Sequence, residues 1–166
     1  MKKEMKKLVR SAIDGDKSAF GTLYEIYSVD MYRFALSMCK NSFDAQDAVQ
    51  ETVLSVFKSI GGIKNPEKFK SYLFSALSNT CKKKLATVTQ QSEFVDTGYA
   101  DEEIEFSIPV REALSKLDDD SRQIVMLSVV GGFKSREISE MLKIPANTVR
   151  TKQKRALSKM REELEL

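Results

Sequence analysis

The stretch FKSREISEMLKIPANTVRTKQKRALSKMREEL, Phe133 to Leu164, decides the fold of this chain. Ile138, Met141 and Leu142 recur at three- and four-residue spacing, which predicts a helix over about 135–142. Lys143-Ile144-Pro145 interrupts it, because proline cannot occupy a helix interior and pushes the residue before it out of helical geometry. A second helix is expected from about Ala146 to Leu164. Val149, Ala156, Leu157, Met160 and Leu164 are its expected buried stripe, and Arg150, Thr151, Lys152, Lys154 and Arg155 take the other side. Two helices, a tight break, the small Ser139 where they must approach, and a cationic second helix make a helix-turn-helix. Such a helix fits the major groove, its first turns reach base edges, and its Arg and Lys are drawn to phosphates and guanine. A merely solvated charged face is the plainer alternative; the coincidence of three features favours DNA.

Charge along the 166 residues points the same way. The net charge is only +3, but residues 1–85 hold 15 Lys and Arg against 9 Asp and Glu, a balance of +6. Residues 86–107 hold none against 6, and residues 108–166 hold 12 against 9. Within the last part, 134–161 carries 9 basic and 2 acidic residues. Two basic lobes around an acidic connector suit a polyanionic partner. There is no histidine, and Cys39 and Cys81 are the only cysteines, so no zinc or similar metal site and no cofactor are expected. Two cysteines without an export signal fit reduced thiols in a cytoplasm: MKKEMKKLVR is basic, but no apolar run follows it. No stretch approaches the roughly 20 apolar residues that span a bilayer, so membrane insertion is not expected.

Strand signals are weak throughout, and helical periodicity is strong. The expected fold is all-α: two small helical domains, 1–85 and 108–166, joined by an acidic linker over 86–107, the second domain containing the helix-turn-helix. Lys3 to Ile13 is a short amphipathic helix. Asp16 caps the next, with Ala19, Phe20, Leu23, Tyr24 and Tyr27 inward, and the pattern resumes after Ser28-Val29-Asp30 with Met31, Phe34, Ala35 and Met38. Asp44 to Ile60 buries Ala45, Ala48, Val49, Thr52, Val53, Val56 and Phe57. Its outer stripe is Asp47, Gln50, Glu51 and Leu54, and an apolar Leu54 among polar residues is either a docking face or a stray leucine.

After the loop Gly61-Gly62-Ile63-Lys64-Asn65, Pro66 opens a helix to about Leu85. One side of it carries Tyr72, Ser75, Asn79 and Lys82, with Lys83 and Lys84 adjoining. Rings that stack on bases, amides that bond base edges and lysines that hold phosphates suit an exposed nucleic-acid strand, though an ordinary amphipathic helix has the same outline. Ile108 to Leu117 and the strongly apolar Ser121 to Val130, capped by Asp118-Asp119-Asp120, lead into the helix-turn-helix.

Four stretches together, in order and spacing, resemble the small two-domain extracytoplasmic-function sigma factors of bacterial RNA polymerase. They are AFGTLYEIYSVDMYRFA (19–35), DAQDAVQETVLSVFK (44–58), FKSYLFSALSN (69–79) and the block from VREALSKLDDDSRQIVML (110–127) onward. The resemblance covers nearly the whole chain. It implies an initiation factor, not an enzyme, with core RNA polymerase and promoter DNA as partners and an anti-sigma factor as a further family expectation. Asp47, Gln50, Glu51 and Leu54 would dock on core polymerase. Lys64, Asn65, Tyr72, Asn79, Lys82 and Lys83 would capture the unpaired strand of the −10 element, where a flipped base is read in a pocket. Arg150, Thr151, Lys154 and Arg155 would read the −35 element, with Asn147 and Thr148 near phosphates. Tyr72 stands where the family usually has tryptophan, Lys83 where it commonly has aspartate, and Ser78 replaces a frequent arginine. Pro145 and Lys134 replace serine caps. The rival readings are a free-standing helix-turn-helix regulator, an enzyme built on Asp44, Asp47 and Glu51, and an adaptor.

Overall fold

The computed structural model of the chain describes residues 3–39, 41–87 and 106–165. Among them stand eight α-helices: α1 (Lys3–Ile13), α2 (Lys17–Cys39), α3 (Ser42–Ser59), α4 (Phe69–Thr87), α5 (Ile108–Ser115), α6 (Asp119–Val129), α7 (Ser135–Leu142) and α8 (Ala146–Glu163). The acidic connector expected over 86–107 falls mostly outside the described residues.

The helix starts follow capping chemistry. Asp16 Oδ1 accepts from the backbone N–H of Ser18 and Ala19, and Asn41 Oδ1 accepts from that of Asp44 at 2.8 Å. Asn65 does the same for Glu67 before Pro66, opening a single 3₁₀ turn, Pro66–Lys68, that feeds α4. Asp118 accepts from Ser121 N–H at 2.8 Å, and that hydrogen bond holds its carboxyl below the ordinary value. A depressed carboxyl contributes stability that is present above its unfolded value, near pH 4, and is lost as pH falls through the folded value. Asp118→Ala is therefore expected to lower urea stability by about 1 kcal/mol at neutral pH. The gap between variant and wild type should close as the pH drops below about 4.

Helix α2 runs unbroken where the sequence pattern suggested an interruption. Ser28-Val29-Asp30 holds neither Gly nor Pro, and Ser28 Oγ bonds back to Glu25 O within the helix. Tyr24, expected inward, is 38% exposed, and Leu157, expected in the buried stripe of α8, is 37% exposed. Phe57 is also partly exposed, its ring edge-on to Phe20 at 5.0 Å.

Helices α1 to α4 enclose an apolar core around Leu23, Met31, Phe34, Phe69, Phe74 and Leu77. Cys39 and Cys81 lie inside it. The hydrogen bond that the Cys81 thiol makes to Cys39, and burial, push that thiol far up, so it stays protonated and unreactive. In the second lobe Arg122 is buried. Its Nε and Nη2 donate to the carbonyls of Leu114 and Leu117 at 2.9 and 2.6 Å, and its Nη1 pairs with Asp119. A guanidinium thus satisfies the open carbonyls at the end of α5.

The two lobes pack on each other. Phe133 meets Phe74 edge-on at 5.6 Å, and Phe74 meets Phe34 on its other side at 6.2 Å. Lys70 Nζ donates to Gly131 O at 2.5 Å and lies over the Phe133 ring. Gln123 Nε2 donates to Ser78 Oγ, so each of these two buried polar groups satisfies the other. The turn after α6 needs its glycines. A Cβ on Gly131 would stand 2.7 Å from Leu127 O and from the Phe133 ring, and Gly132 has φ +72°.

Candidate nucleic-acid and partner interfaces

The break between α7 and α8 is built by Lys143, at φ 59°, and by Ser139, whose Oγ donates to Ile144 O at 2.5 Å. Ser139 is the small residue expected at the approach. It lets Ile144 turn the chain into Pro145, after which α8 begins at Ala146 without a side-chain cap. Val149 and Ala156 pin α8 to the lobe, and Gln153 Nε2 reaches Ser128 Oγ at 2.7 Å. The helix therefore turns Asn147, Arg150, Thr151, Lys154 and Arg155 outward, all exposed and within one face. Arg150 Nη1 donates to Asn147 Oδ1 at 2.7 Å, which orients the guanidinium along that face. Thr148 is half-buried at its flank, and Lys152, on the other flank, is tied to Asp120 at 3.4 Å. Arg150, Lys154 and Arg155 form no ion pair with any described carboxylate. This is an uncompensated cationic face on the second helix of a helix-turn-helix.

A second cluster gathers at the start of α4. Lys64, Asn65 and Tyr72 line one cavity of about 410 Å³ with Ser59, Gly62 and Lys68. Tyr72 Oη and Ser59 Oγ share a hydrogen bond of 2.7 Å, and the Tyr72 ring is 39% exposed. A ring held by its hydroxyl beside a lysine-rimmed hollow can stack a base turned out of its helix. Asn79, Lys82 and Lys83 are exposed farther along α4; Tyr72, Ser75, Asn79 and Lys83 recur at i, i+3, i+7 and i+11 on one side. The pairing of Ser59 and Lys68 with this cavity was not visible beforehand, because it depends on the loop folding back over α4.

On α3, Asp47, Gln50, Glu51 and Leu54 are all exposed, Leu54 at 61%. Beside Gln50 a groove of about 280 Å³ opens against α2, with Tyr24, Val29 and Gln46 on its walls. Tyr24 lies on the stripe of Phe20, Leu23 and Tyr27, at i+4 from Phe20, so period alone turned it inward; Val29 falls off that stripe, and both are exposed. Lys84, read as an addition to the strand-binding side of α4, points the other way: its Nζ lies 2.5 Å from Asp47 Oδ2 and 3.3 Å from Glu51 Oε1. Between the lobes, a cleft of about 690 Å³ sets Glu137 and Glu140 of α7 opposite Lys68 of the 3₁₀ turn and Tyr72 and Ser75 of α4. Among the described residues no group of three or more His, Cys, Asp or Glu converges on a metal position. No described helix is long and apolar enough to cross a membrane.

Comparison with known proteins gives the family. The family model for sigma-70 region 2 matches residues 23–90, and that for sigma-70 region 4 matches residues 107–160. RNA polymerase sigma factor SigV of Bacillus subtilis (strain 168) is 32% identical, over 89% of this chain and 92% of its own. ECF RNA polymerase sigma factor SigW of the same organism is 26% identical, over 99% and 98%. Among solved structures, CnrH in complex with the cytosolic domain of CnrY shares the fold over 97% of both chains, with a TM-score of 0.77 at 23% identity. With two sigma-70 regions in their proper order and relatives aligned along almost its whole length, the chain belongs to the extracytoplasmic-function (ECF) sigma factors of RNA polymerase.

Proposed function

We propose that this sigma factor divides its work among the three surfaces. The outer stripe of α3, Asp47, Gln50, Glu51 and Leu54, docks on core polymerase. The cavity of Lys64, Asn65 and Tyr72, continued by Asn79, Lys82 and Lys83, takes the unpaired −10 strand. The face of Arg150, Thr151, Lys154 and Arg155 reads the −35 element in the major groove, with Asn147 and Thr148 against phosphates at its start. The working units are residues 1–85 and 108–166, with 86–107 as connector. The factor performs no chemistry of its own and acts in the cytoplasm, where polymerase works. One observation carries this reading: Arg150, Lys154 and Arg155 share an exposed face and have no anionic partner among the described residues.

The packed lobes belong, in this reading, to the factor off the promoter. The two elements lie about 25 base pairs apart, roughly 85 Å along B-DNA. A compact chain of this length has a radius of gyration of about 15 Å, so its closed form cannot touch both. The lobes must part, and the seam suits that: Gln123 and Ser78 exchange one mutual bond for water, and Lys70 is released to phosphate. Two weak sites held at a matched separation then act with avidity. An anti-sigma partner is expected to hold the factor away from polymerase. RpoE of Bartonella quintana, which shares the fold, is known in complex with the anti-sigma factor NepR.

Run-off transcription with bacterial core polymerase tests the proposal. The wild type is expected to start transcription at defined promoters. Gln50→Ala/Glu51→Ala should weaken core binding by about tenfold or more, as loss of interface-centre contacts does, while leaving duplex binding to the isolated −35 element unchanged. Specific DNA binding without core binding would make the protein a free-standing regulator instead.

A further inference from the structure

Lys84 lies on the last turn of α4 and reaches across to α3. Its side chain is only 17% exposed, and it bridges Asp47 and Glu51 at 2.5 and 3.3 Å. These two carboxylates stand at i and i+4 on α3, where they repel each other unless a cation lies between them. Hydrogen bonding to Asp47 and then to Glu51 holds the Lys84 ammonium above its ordinary pKa, so the bridge is charged at any working pH. One turn earlier, Thr52 Oγ1 and Thr80 Oγ1 bond at 3.0 Å and fix the register of α3 on α4. Asp47 and Glu51 remain 48% and 56% exposed, so each keeps open lone pairs toward solvent.

We infer that Lys84 is a positioning residue for polymerase docking: it holds Asp47 and Glu51 in place before core polymerase arrives. The inference rests on the assignment of α3 as the docking face and deepens it. Two effects oppose each other here. Removing Lys84 leaves the patch more negative, which attracts a basic partner more strongly. It also frees two flexible side chains that docking must then order. An ion pair between an exposed carboxylate and a partner gains little net, whereas the cost of ordering two freed side chains applies in full, so preorganisation wins. The same lysine links the docking helix to the strand-capturing helix, α4.

The test is core-polymerase affinity at about 0.15 M salt, measured for the full chain. The variants are Lys84→Ala, Lys84→Arg, Asp47→Asn/Glu51→Gln and the triple combination with Lys84→Ala. Lys84→Ala is expected to weaken binding about tenfold. Lys84→Arg should restore it to within about twofold, because it keeps the cation between the carboxylates. In the Asp47→Asn/Glu51→Gln background, Lys84→Ala should cause no further loss; a lysine that merely supported α4 would cost the same in both backgrounds. Lys84→Ala binding as well as or better than wild type, while Asp47→Asn/Glu51→Gln binds worse, overturns the inference and spares the docking face. Asp47→Asn/Glu51→Gln binding like wild type overturns the docking face itself, and the inference with it.

Discussion

Arg150→Ala/Arg155→Ala should abolish dependence on the −35 element. The expected loss is about 30-fold or more in promoter affinity, because each well-placed Arg–base contact discriminates by about 1–3 kcal/mol. Arg150 carries the larger share in this expectation. Its guanidinium is already oriented by Asn147 at 2.7 Å, so little freedom is lost on binding. Arg155 stands one turn later, exposed and unpaired among the described residues. Filter binding or fluorescence anisotropy on a duplex −35 site measures the effect directly. Lys154→Ala is the contrast: a phosphate contact should weaken all sequences about equally and lower the salt slope by about one unit. Core-polymerase affinity should be unchanged in both variants, since α8 is remote in sequence from Asp47 and Glu51. An Arg150→Ala/Arg155→Ala protein that still distinguishes −35 sequences would remove the recognition helix from promoter reading.

Phe74→Ala should cost about 3–5 kcal/mol in urea unfolding, the usual range for a buried phenylalanine. Phe74 is fully enclosed, with Phe34 edge-on at 6.2 Å on one side and Phe133 at 5.6 Å on the other. Truncation leaves a cavity whose walls belong to both lobes, and it cannot collapse without moving α6 and its glycine turn. Phe74→Leu should recover much of the loss by refilling the space. Far-UV circular dichroism against urea gives the numbers. A loss below about 1 kcal/mol, the range of ordinary substitutions, would mean that Phe74 is not enclosed and that the lobes do not close over it.

Much of this was legible in the residues alone, for reasons that can be named. Asp16, Asn41, Asn65 and Asp118 cap helices through bonds to neighbours two or three positions away, so their effect is local and readable. The α7–α8 break is equally local: Pro145 forbids helix, and Ser139 and Lys143 complete the turn. Because α8 is amphipathic, its period alone assigned Arg150, Thr151, Lys154 and Arg155 to one outward face. The exception on that helix, Leu157, shows the limit: period assigns a side chain to a sector but not the width of the neighbour that covers it.

What only the tertiary structure decided is every relation between residues far apart in the chain. Phe74 belongs to the core of the α1–α4 lobe and is also met by Phe133 of the other lobe, and Ser78 is bonded by Gln123 across the same seam. The same holds for Lys84, whose place in the sequence beside Lys82 and Lys83 suggested a phosphate contact. Its direction is set by the packing of α4 on α3, which brings two carboxylates 33 and 37 positions away within reach. Local sequence determined the helices, their caps and the outward faces that recognise DNA, because those follow from bonds of short range. The seam between the lobes and the bridge on the docking face follow from long-range packing, and no period within one helix records them.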